Sequence, residues 1–320
     1  MKILPFLTML LALECASVSQ AQTAAEWVET GIAKGRNYDF PGATDAFDNA
    51  LALDPKLVPA LFNRGLACLW TDDANGALGY FDKAIALEPE NAQARVERAK
   101  IKAAKGDKAA ALADYNQAIA LQPKYPFAWL GRGNVKRDGG DLAGALKDYD
   151  QLILLSPADG AGYYCRALVR EVLGNFEGAL SDYEKLLALD ETTLNASISA
   201  HRELILRRLQ RADPTDRLKN ALMNYKGDDW YRAPGDFITG QLTEAAFLAK
   251  AGEGAPSPVM LEIQQGEAFY YVGMMRLLAH DTAGAREYFE KLKSSTHAEG
   301  DLARAELARL PGEKPAAKSK

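Results

Sequence analysis

Residues 60–89, ALFNRGLACLWTDDANGALGYFDKAIALEP, contain the pattern from which most of this chain is built. The stretch predicts two short amphipathic helices that are joined by a polar turn. One face of the first helix carries Leu61, Gly65 and Cys68, and one face of the second carries Ala77, Phe81 and Ala84. Because proline cannot continue a helix, Pro89 marks the end of the pair.

The same pattern returns every 34 residues. Positions that recur in phase are Ala43, Ala77, Ala111, Ala145 and Ala179; Phe47, Phe81, Tyr115, Tyr149 and Tyr183; Gly31, Gly65, Ala99, Gly133 and Ala167; and Pro55, Pro89, Pro123 and Pro157. This period, with its small, aromatic and proline positions in this order, resembles the tetratricopeptide repeat over five repeats.

The spacing has a physical reason. Small residues at Gly65 and Ala77 let the two helices approach closely, and Phe81 fills the space between them. A single pair cannot bury its apolar face, whereas stacked pairs can. We therefore predict an all-α fold, an α-solenoid of helix-turn-helix repeats. The resemblance implies a right-handed superhelix whose concave wall is formed by the first helices.

Five segments are predicted along the chain. They are a secretory signal peptide at 1–21, five repeats at 24–191, an irregular helical segment at 192–258, a sixth repeat-like helix pair with a capping helix at 259–310, and a disordered tail at 311–320. Within the irregular segment, residues 193–211 predict a helix, and Asp213-Pro214 predicts the start of another. Short helices are expected around Phe237 and Phe247.

The signal peptide prediction rests on the first residues. Lys2 precedes a mainly apolar run at residues 3–13, which is too short to span a bilayer, and small residues then place cleavage near Ala21. Cys15 raises the question of a lipoprotein, but Glu14 stands where a lipid-attachment motif requires a small residue, so we expect no lipid anchor. The mature chain is expected to be periplasmic or secreted, with no transmembrane span.

Composition and motifs exclude several classes of function. The net charge of −5, without a basic cluster, argues against nucleic acid as a partner. His201, His280 and His297 show no metal-ligand spacing, and no phosphate loop or nucleophile motif occurs. We therefore predict no enzyme activity, no catalytic residue, no metal and no cofactor. Cys68 and Cys165 are predicted to be small buried apolar side chains.

The last third has a resemblance of its own, to the bacterial new-lipoprotein-I (NlpI-like) type of tetratricopeptide envelope adaptor. The residues that carry it are Trp230, Gly240, Phe269, Tyr270, Gly273, Ala285, Phe289, Glu306 and Leu307. The resemblance implies an adaptor that docks peptidoglycan hydrolases. Most of the matching positions are packing positions, so the likeness concerns architecture more than the choice of partner.

The concave wall is the predicted binding site. By resemblance, its lining residues on the first helices are Phe62, Asn63, Val96, Lys100, Phe127, Leu130, Asn134, Arg137, Tyr164 and Leu168. The polar members are expected to hold a peptide backbone or an acidic terminus, and the aromatic members to take apolar side chains.

Three hypotheses about function remain open. The favoured one is an exported scaffold or adaptor that binds other proteins or peptides of the bacterial envelope through its concave wall, with a homodimer left open. The second is a structural subunit of a larger envelope machine for secretion, pilus or polysaccharide assembly, which uses other faces. An enzyme or small-ligand receptor built on the solenoid is the weakest, because the sequence shows no catalytic set.

Overall fold

The computed structural model describes residues 22–189, 195–225 and 230–311. The predicted signal peptide with Cys15 and residues 190–194, 226–229 and 312–320 lie outside the described residues. Within the described part the chain is all-α, with seventeen helices and no strand, which confirms the predicted fold class. The chain divides between Pro123 and Lys124 into two compact units.

The first unit consists of three helix pairs. Its helices are α1 (Ala24–Arg36), α2 (Phe40–Leu53), α3 (Val58–Trp70), α4 (Ala74–Leu87), α5 (Ala92–Ala104) and α6 (Lys108–Leu121). The residues that recur with the 34-residue period lie in its core: Ala43, Phe47, Ala77, Phe81, Ala111 and Tyr115 are all buried. The periodic positions are therefore packing positions, as the spacing predicts.

The turn inside each pair is built in the same way. Asp39, Asp73 and Asp107 cap the second helices, each accepting a hydrogen bond from a backbone N–H three residues later at 2.8–3.0 Å. The residue before each cap has a positive φ, 62° at Tyr38, 58° at Asp72 and 83° at Gly106. Each turn therefore combines a residue in the left-handed region with an aspartate that caps the following helix.

The small residue of the first helix lies directly against the aromatic ring of the second. A Cβ atom added to Gly65 would lie 2.7 Å from a ring carbon of Phe81. The corresponding distances are 2.7 Å from Gly133 to Tyr149 and 2.5 Å from Gly273 to Phe289. A side chain at these three positions would therefore force the ring or the helix to shift, which favours glycine.

This contact gives a prediction with a matched control in the same helix pair. We expect Gly65→Ala to lower the free energy of unfolding by about 1–2 kcal/mol, because the clash with Phe81 exceeds the gain in helix propensity. Gly79, on α4, has no atom within 4 Å of such a Cβ, so Gly79→Ala is expected to raise stability by about 0.5–1 kcal/mol. Urea unfolding followed by circular dichroism measures both; a stabilising Gly65→Ala would contradict the packing described.

The second unit begins with two further helix pairs and continues into less regular structure. Its helices are α7 (Pro126–Asp138), α8 (Leu142–Leu155), α9 (Gly160–Val172), α10 (Phe176–Leu189), α11 (Asn195–Arg208), α12 (Arg217–Asn224), α13 (Ala233–Ile238), α14 (Glu244–Lys250), α15 (Pro258–Leu278), α16 (Thr282–Lys291) and α17 (Ala298–Arg309). The helix pair α15–α16 contains the Gly273–Phe289 contact. His280 takes the turn position with a φ of 63°, where Gly140 and Gly174 stand in the other pairs of this unit.

One predicted helix start is wrong. Asp213-Pro214 does not begin a helix; α12 begins at Arg217, after a turn. The Asp213 carboxylate accepts hydrogen bonds from the backbone N–H groups of Thr215 and Arg217, at 3.0 and 2.8 Å, and pairs with Arg202. These bonds hold residues 213–217 in a tight turn, and the helix begins only after that turn.

The core of the second unit is rich in aromatic rings. Phe237 on α13 and Phe247 on α14 stack with their centroids 4.6 Å apart, and Trp230 stacks on the same Phe247 ring at 5.4 Å. Tyr271 on α15 meets Phe247 edge-on. The short helices expected around Phe237 and Phe247 are present, and their rings fix them against α15.

Candidate functional site

In the first unit, two predicted wall residues lie on α3. Phe62 is half-buried, and its ring centroid lies 5.7 Å from that of Phe81. The Asn63 amide donates a hydrogen bond to the carbonyl oxygen of Pro59 at 2.8 Å, one turn earlier in the same helix. Phe62 therefore contributes to packing as well as to the surface, and the Asn63 amide already has one partner inside the protein.

The other two wall residues of this unit lie on α5 and differ sharply in exposure. Val96 is fully buried, so its assignment to a binding wall is corrected: it packs inside the unit and cannot contact a partner in this structure. Lys100 is exposed, and its ammonium group lies 2.7 Å from the carboxylate of Glu97. Lys100 is the accessible member of this pair.

In the second unit, α7 presents one large apolar side chain to solvent. Phe127 is 53% exposed, and Tyr125 meets its ring edge-on at 5.6 Å. Leu130 is half-buried against the cluster around Ala145 and Tyr149. The Asn134 Oδ1 atom accepts a hydrogen bond from the Tyr149 hydroxyl at 2.9 Å, so Asn134 also supports the core.

The remaining predicted wall residues are covered by the chain's own C-terminal helix. Leu168 is buried in the same cluster as Leu302 and Ala303 of α17, and Tyr164 packs against that cluster. Arg137 lines a small pocket with Leu168 and residues of α17, and pairs with Asp138 at 2.8 Å. Leu168 is therefore corrected to a core residue, and the α9 face is occupied by α17.

Specific hydrogen bonds hold α17 on this face. The Arg309 guanidinium donates to the carbonyl oxygens of Glu171 and Val172, at 2.9 and 2.6 Å, at the end of α9. Arg208 on α11 pairs with the buried Glu306 on α17 at 2.7 Å. A positive side chain at a helix C-terminus satisfies carbonyl groups that have no partner within the helix.

A periodic set of ion pairs was missed in the sequence. Arg132 on α7 donates two hydrogen bonds to the buried carboxylate of Asp148 on α8, at 2.9 and 2.7 Å, and Lys136 lies 2.9 Å from it. The same arrangement joins Arg98 and Lys102 to Asp114, and Arg166 and Arg170 to Asp182. The 34-residue spacing of Arg64, Arg98, Arg132 and Arg166 was the available signal.

Two cations determine the charge state of the buried Asp114 carboxylate. Burial by itself would raise the pKa of the Asp114 carboxyl group. Hydrogen bonds from Arg98 and Lys102 outweigh burial and hold that pKa below its ordinary value of 3.8. The arrangement therefore keeps a charge on Asp114 inside its helix pair, where it joins α5 to α6.

A second polar cluster surrounds Glu171 at the end of α9. Its carboxylate accepts a hydrogen bond from the Tyr183 hydroxyl at 2.6 Å, and the His201 Nδ1 atom lies 3.9 Å away. The His201 ring stacks on Tyr183 on one side and Tyr270 on another. Burial raises the pKa of Glu171 to about 7 and lowers that of His201 to about 4.

The two cysteines differ from the prediction in one respect. Cys68 is buried as expected, whereas Cys165 is only half-buried. Burial raises the pKa of the Cys68 thiol, and it raises that of Cys165 to about 11. Both cysteines therefore carry protonated, weakly nucleophilic thiols at neutral pH.

Comparison with known families supports the interpretation of the repeats. Residues 71–126 and 130–192 match the family model of the tetratricopeptide repeat, so this part of the chain is similar to that family. The predicted small, aromatic and proline positions of the second to fifth repeats fall in or beside this stretch, so the sequence pattern and the family match agree.

Solved structures share the helical-repeat fold. PilW, a type IV pilus biogenesis factor, aligns with a TM-score of 0.52 and 17% identity over 75% of this chain and 97% of its own. The Cut9-Hcn1 complex of the APC/C aligns with a TM-score of 0.54 and 15% identity over 77% of this chain and 43% of that one. MamA aligns at 26% identity with a TM-score of 0.46 over 52% of this chain and 92% of its own. Comparison with curated proteins found no match.

The described part of the chain shows neither a cluster of metal ligands nor a helix suited to cross a membrane. No group of three or more histidine, cysteine, aspartate or glutamate side chains there is placed to hold a metal ion. None of the helices in the same residues combines the length and apolar character needed to cross a bilayer.

Proposed function

We propose that this protein is an exported scaffold that binds other proteins of the bacterial envelope through the exposed face of its first helices. The observation that carries the proposal is Phe127, a large apolar side chain that is half exposed on a first helix of a tetratricopeptide repeat. A solvated aromatic ring on such a face is suited to fill a pocket or cover an apolar side chain of a partner. In the first unit, taken by itself, Lys100 is also exposed on a first helix.

The finer part of the proposal concerns the partner and the compartment. The resemblance of the last third to the NlpI-like adaptors supports peptidoglycan hydrolases as the partners to test first. The apolar run at residues 3–13 supports export, with cleavage near Ala21. Cell fractionation followed by N-terminal sequencing tests this: a mature chain that begins at Gln22 in the periplasm supports the proposal, and a cytoplasmic chain that retains Met1 contradicts it.

A second candidate is a structural subunit of a larger envelope machine that uses a different face. The observation in its favour is a set of exposed leucines that close the second helices of the first unit with a 34-residue spacing. These are Leu53, Leu87 and Leu121. Exposed apolar side chains that repeat along a stack are suited to a long, flat contact with a neighbouring subunit.

Site-specific photocrosslinking in intact cells separates the two candidates. A photoreactive phenylalanine analogue at position 127 reports on the first-helix face of the fourth repeat. The matched control is the same analogue at Leu154, which is 72% exposed on the second helix of that repeat. Protein adducts at 127 and none at 154 support the scaffold; adducts at 154 alone favour the subunit that uses another face. Alanine at Asn134 is a poor test, because that amide also supports Tyr149.

A further inference from the structure

Two adjoining cavities lie in the second unit, and the second of them is lined in part by Tyr164, a predicted wall residue on α9. The first has a volume of about 590 Å³ and lies among Trp230, the end of α14 and the first half of α15. The second has a volume of about 680 Å³ and lies beside the start of α9, the end of α10 and the start of α11. Both are lined by Tyr231 and Glu267, so these two side chains stand at the junction.

The walls of both cavities are mainly apolar. Pro256, Met260 and Ile263 line the first. Leu186 and Ile198 line the second, with the exposed Tyr231 beside them. Volumes of this size exceed a single side chain, and apolar walls with a few polar groups are typical of ligand sites. The cavities are therefore suited to an alkyl chain, and the polar groups around them determine which head group that chain can have.

The polar groups at the junction are mostly acceptors. Glu267 accepts a hydrogen bond from the indole N–H of Trp230 with one carboxylate oxygen. Gln264, one turn earlier on α15, is buried, and its Oε1 atom has no hydrogen-bond partner. Proteins rarely leave a buried acceptor unpaired without a functional or structural reason. The Gln264 amide oxygen is therefore an acceptor that still lacks a donor.

The charged side chains around the cavities are mostly acidic. Besides Glu267, the carboxylates of Glu253 and Asp159 line the first and second cavity, respectively. Lys250 is the one cationic residue among the lining residues of the two cavities in the described part of the chain. An excess of acidic groups beside aromatic rings favours a positively charged ligand, because both attract a cation.

We propose that these cavities bind an alkylammonium or alkylguanidinium group, with the apolar walls around the alkyl chain and Glu267 and Gln264 at the cationic head. The chemistry fits a lysine or arginine side chain from an extended segment of a partner protein, and equally a free organic amine. The site does not involve Phe127, so it stands or fails independently of the scaffold proposal.

The proposal predicts that the affinity for a cation increases with pH. Burial, with a smaller contribution from the nearby Glu299 carboxylate, outweighs the Trp230 hydrogen bond and raises the pKa of Glu267 to about 7. A cation binds the carboxylate and not the carboxylic acid, so affinity rises as the pH increases through about 7. In the described part of the chain, the other titratable groups that face Glu267 or line the cavities are Tyr231 at the junction, Asp159 before α9, Tyr164 on α9, Lys250 at the end of α14, Glu253 after it, and Glu299 on α17.

The experiment titrates the full mature chain with small probes of matched size. The probes are n-butylguanidinium, n-butylammonium and neutral n-butanol, followed by the tripeptide acetyl-Ala-Arg-Ala-amide. The readout is the indole N–H resonance of Trp230, one of four tryptophans, because that group donates to Glu267. We expect both cations to shift this resonance with at least about tenfold higher affinity than butanol. A tripeptide that binds as well as butylguanidinium assigns the site to a protein side chain, and one that is excluded assigns it to a free amine.

Variants separate a binding role from a structural one. Glu267→Gln keeps an acceptor for Trp230 and removes the charge, so cation affinity should fall about tenfold while butanol binding is unchanged. Gln264→Met removes the unpaired acceptor, so the Tm should rise while cation affinity falls. Glu262→Gln, on the exposed side of α15, is the control and should change neither. Three results would overturn the proposal. Butanol could bind as tightly as the cations, the cations could fail to bind at tens of millimolar, or Glu267→Gln and Glu262→Gln could change cation affinity equally.

Discussion

Asp148→Ala is expected to lower the free energy of unfolding by about 3–5 kcal/mol, because it removes the shared carboxylate of two cations inside the fourth repeat. The Asp148 side chain is 2% exposed and is bound by both Arg132 and Lys136. Without it, the Arg132 guanidinium keeps its buried position and loses the acceptor that matches its geometry. Unfolding in urea, followed by circular dichroism, measures the loss.

The matched control lies two residues later on the same helix. Asp150 also pairs with an arginine, Arg166 at 2.6 Å, but its side chain is 53% exposed. Arg166 keeps its bonds to Asp182 when Asp150 is removed. We therefore expect Asp150→Ala to change stability by less than about 1 kcal/mol. Equal losses of stability from the two substitutions would show that burial does not determine how much a carboxylate contributes to the free energy of unfolding.

The repeated ion pairs show which features of the fold could be predicted from the sequence and which could not. The period of 34 residues identified the small and aromatic positions because each must meet the next repeat in the same way. Arg98 and Arg132 recur with the same period, but charged residues on a helix usually face solvent. Their partners, Asp114 and Asp148, are buried, and each is bound by a second cation, Lys102 or Lys136, one turn after the arginine.

The candidate binding wall was less predictable. Phe127 and Lys100 are exposed, as a wall residue must be, whereas Val96 is buried within its unit. Leu168 is covered by α17, which lies more than 120 residues later in the chain. No local pattern reports a contact over that distance. The wrong helix start at Asp213 has a local cause, because an Asp-Pro pair begins turns and helices alike.

The buried cluster at Glu171 leads to the second large effect, which depends on pH. An ordinary glutamate has a pKa of 4.5, and burial raises that of Glu171 to about 7 in the folded protein. The folded state therefore binds the proton more tightly than the unfolded state. As the pH rises from about 4.5 to about 7, the unfolded chain loses this proton first, so stability falls by up to about 1.4 kcal/mol per pH unit.

Glu171→Gln removes this titration and keeps an oxygen that accepts the Tyr183 hydrogen bond. We expect the variant to be close to the wild type in stability at about pH 5 and roughly 2–3 kcal/mol more stable at about pH 8, where the wild type must bury a charge. His201 has a folded pKa of about 4, lowered by burial from 6.5, and gives the opposite slope between those values. It is present in both proteins, so its contribution cancels in their difference.

Urea unfolding of the two proteins at a series of pH values gives this difference directly. If the variant's advantage in free energy of unfolding grows as the pH rises, the Glu171 charge destabilises the wild type. Arg208 and Arg309 then do not neutralise that charge, because both pair with Glu306. A constant gap would mean that Glu171 titrates alike in the folded and unfolded states, and a gap that narrows would mean that its charge stabilises the fold.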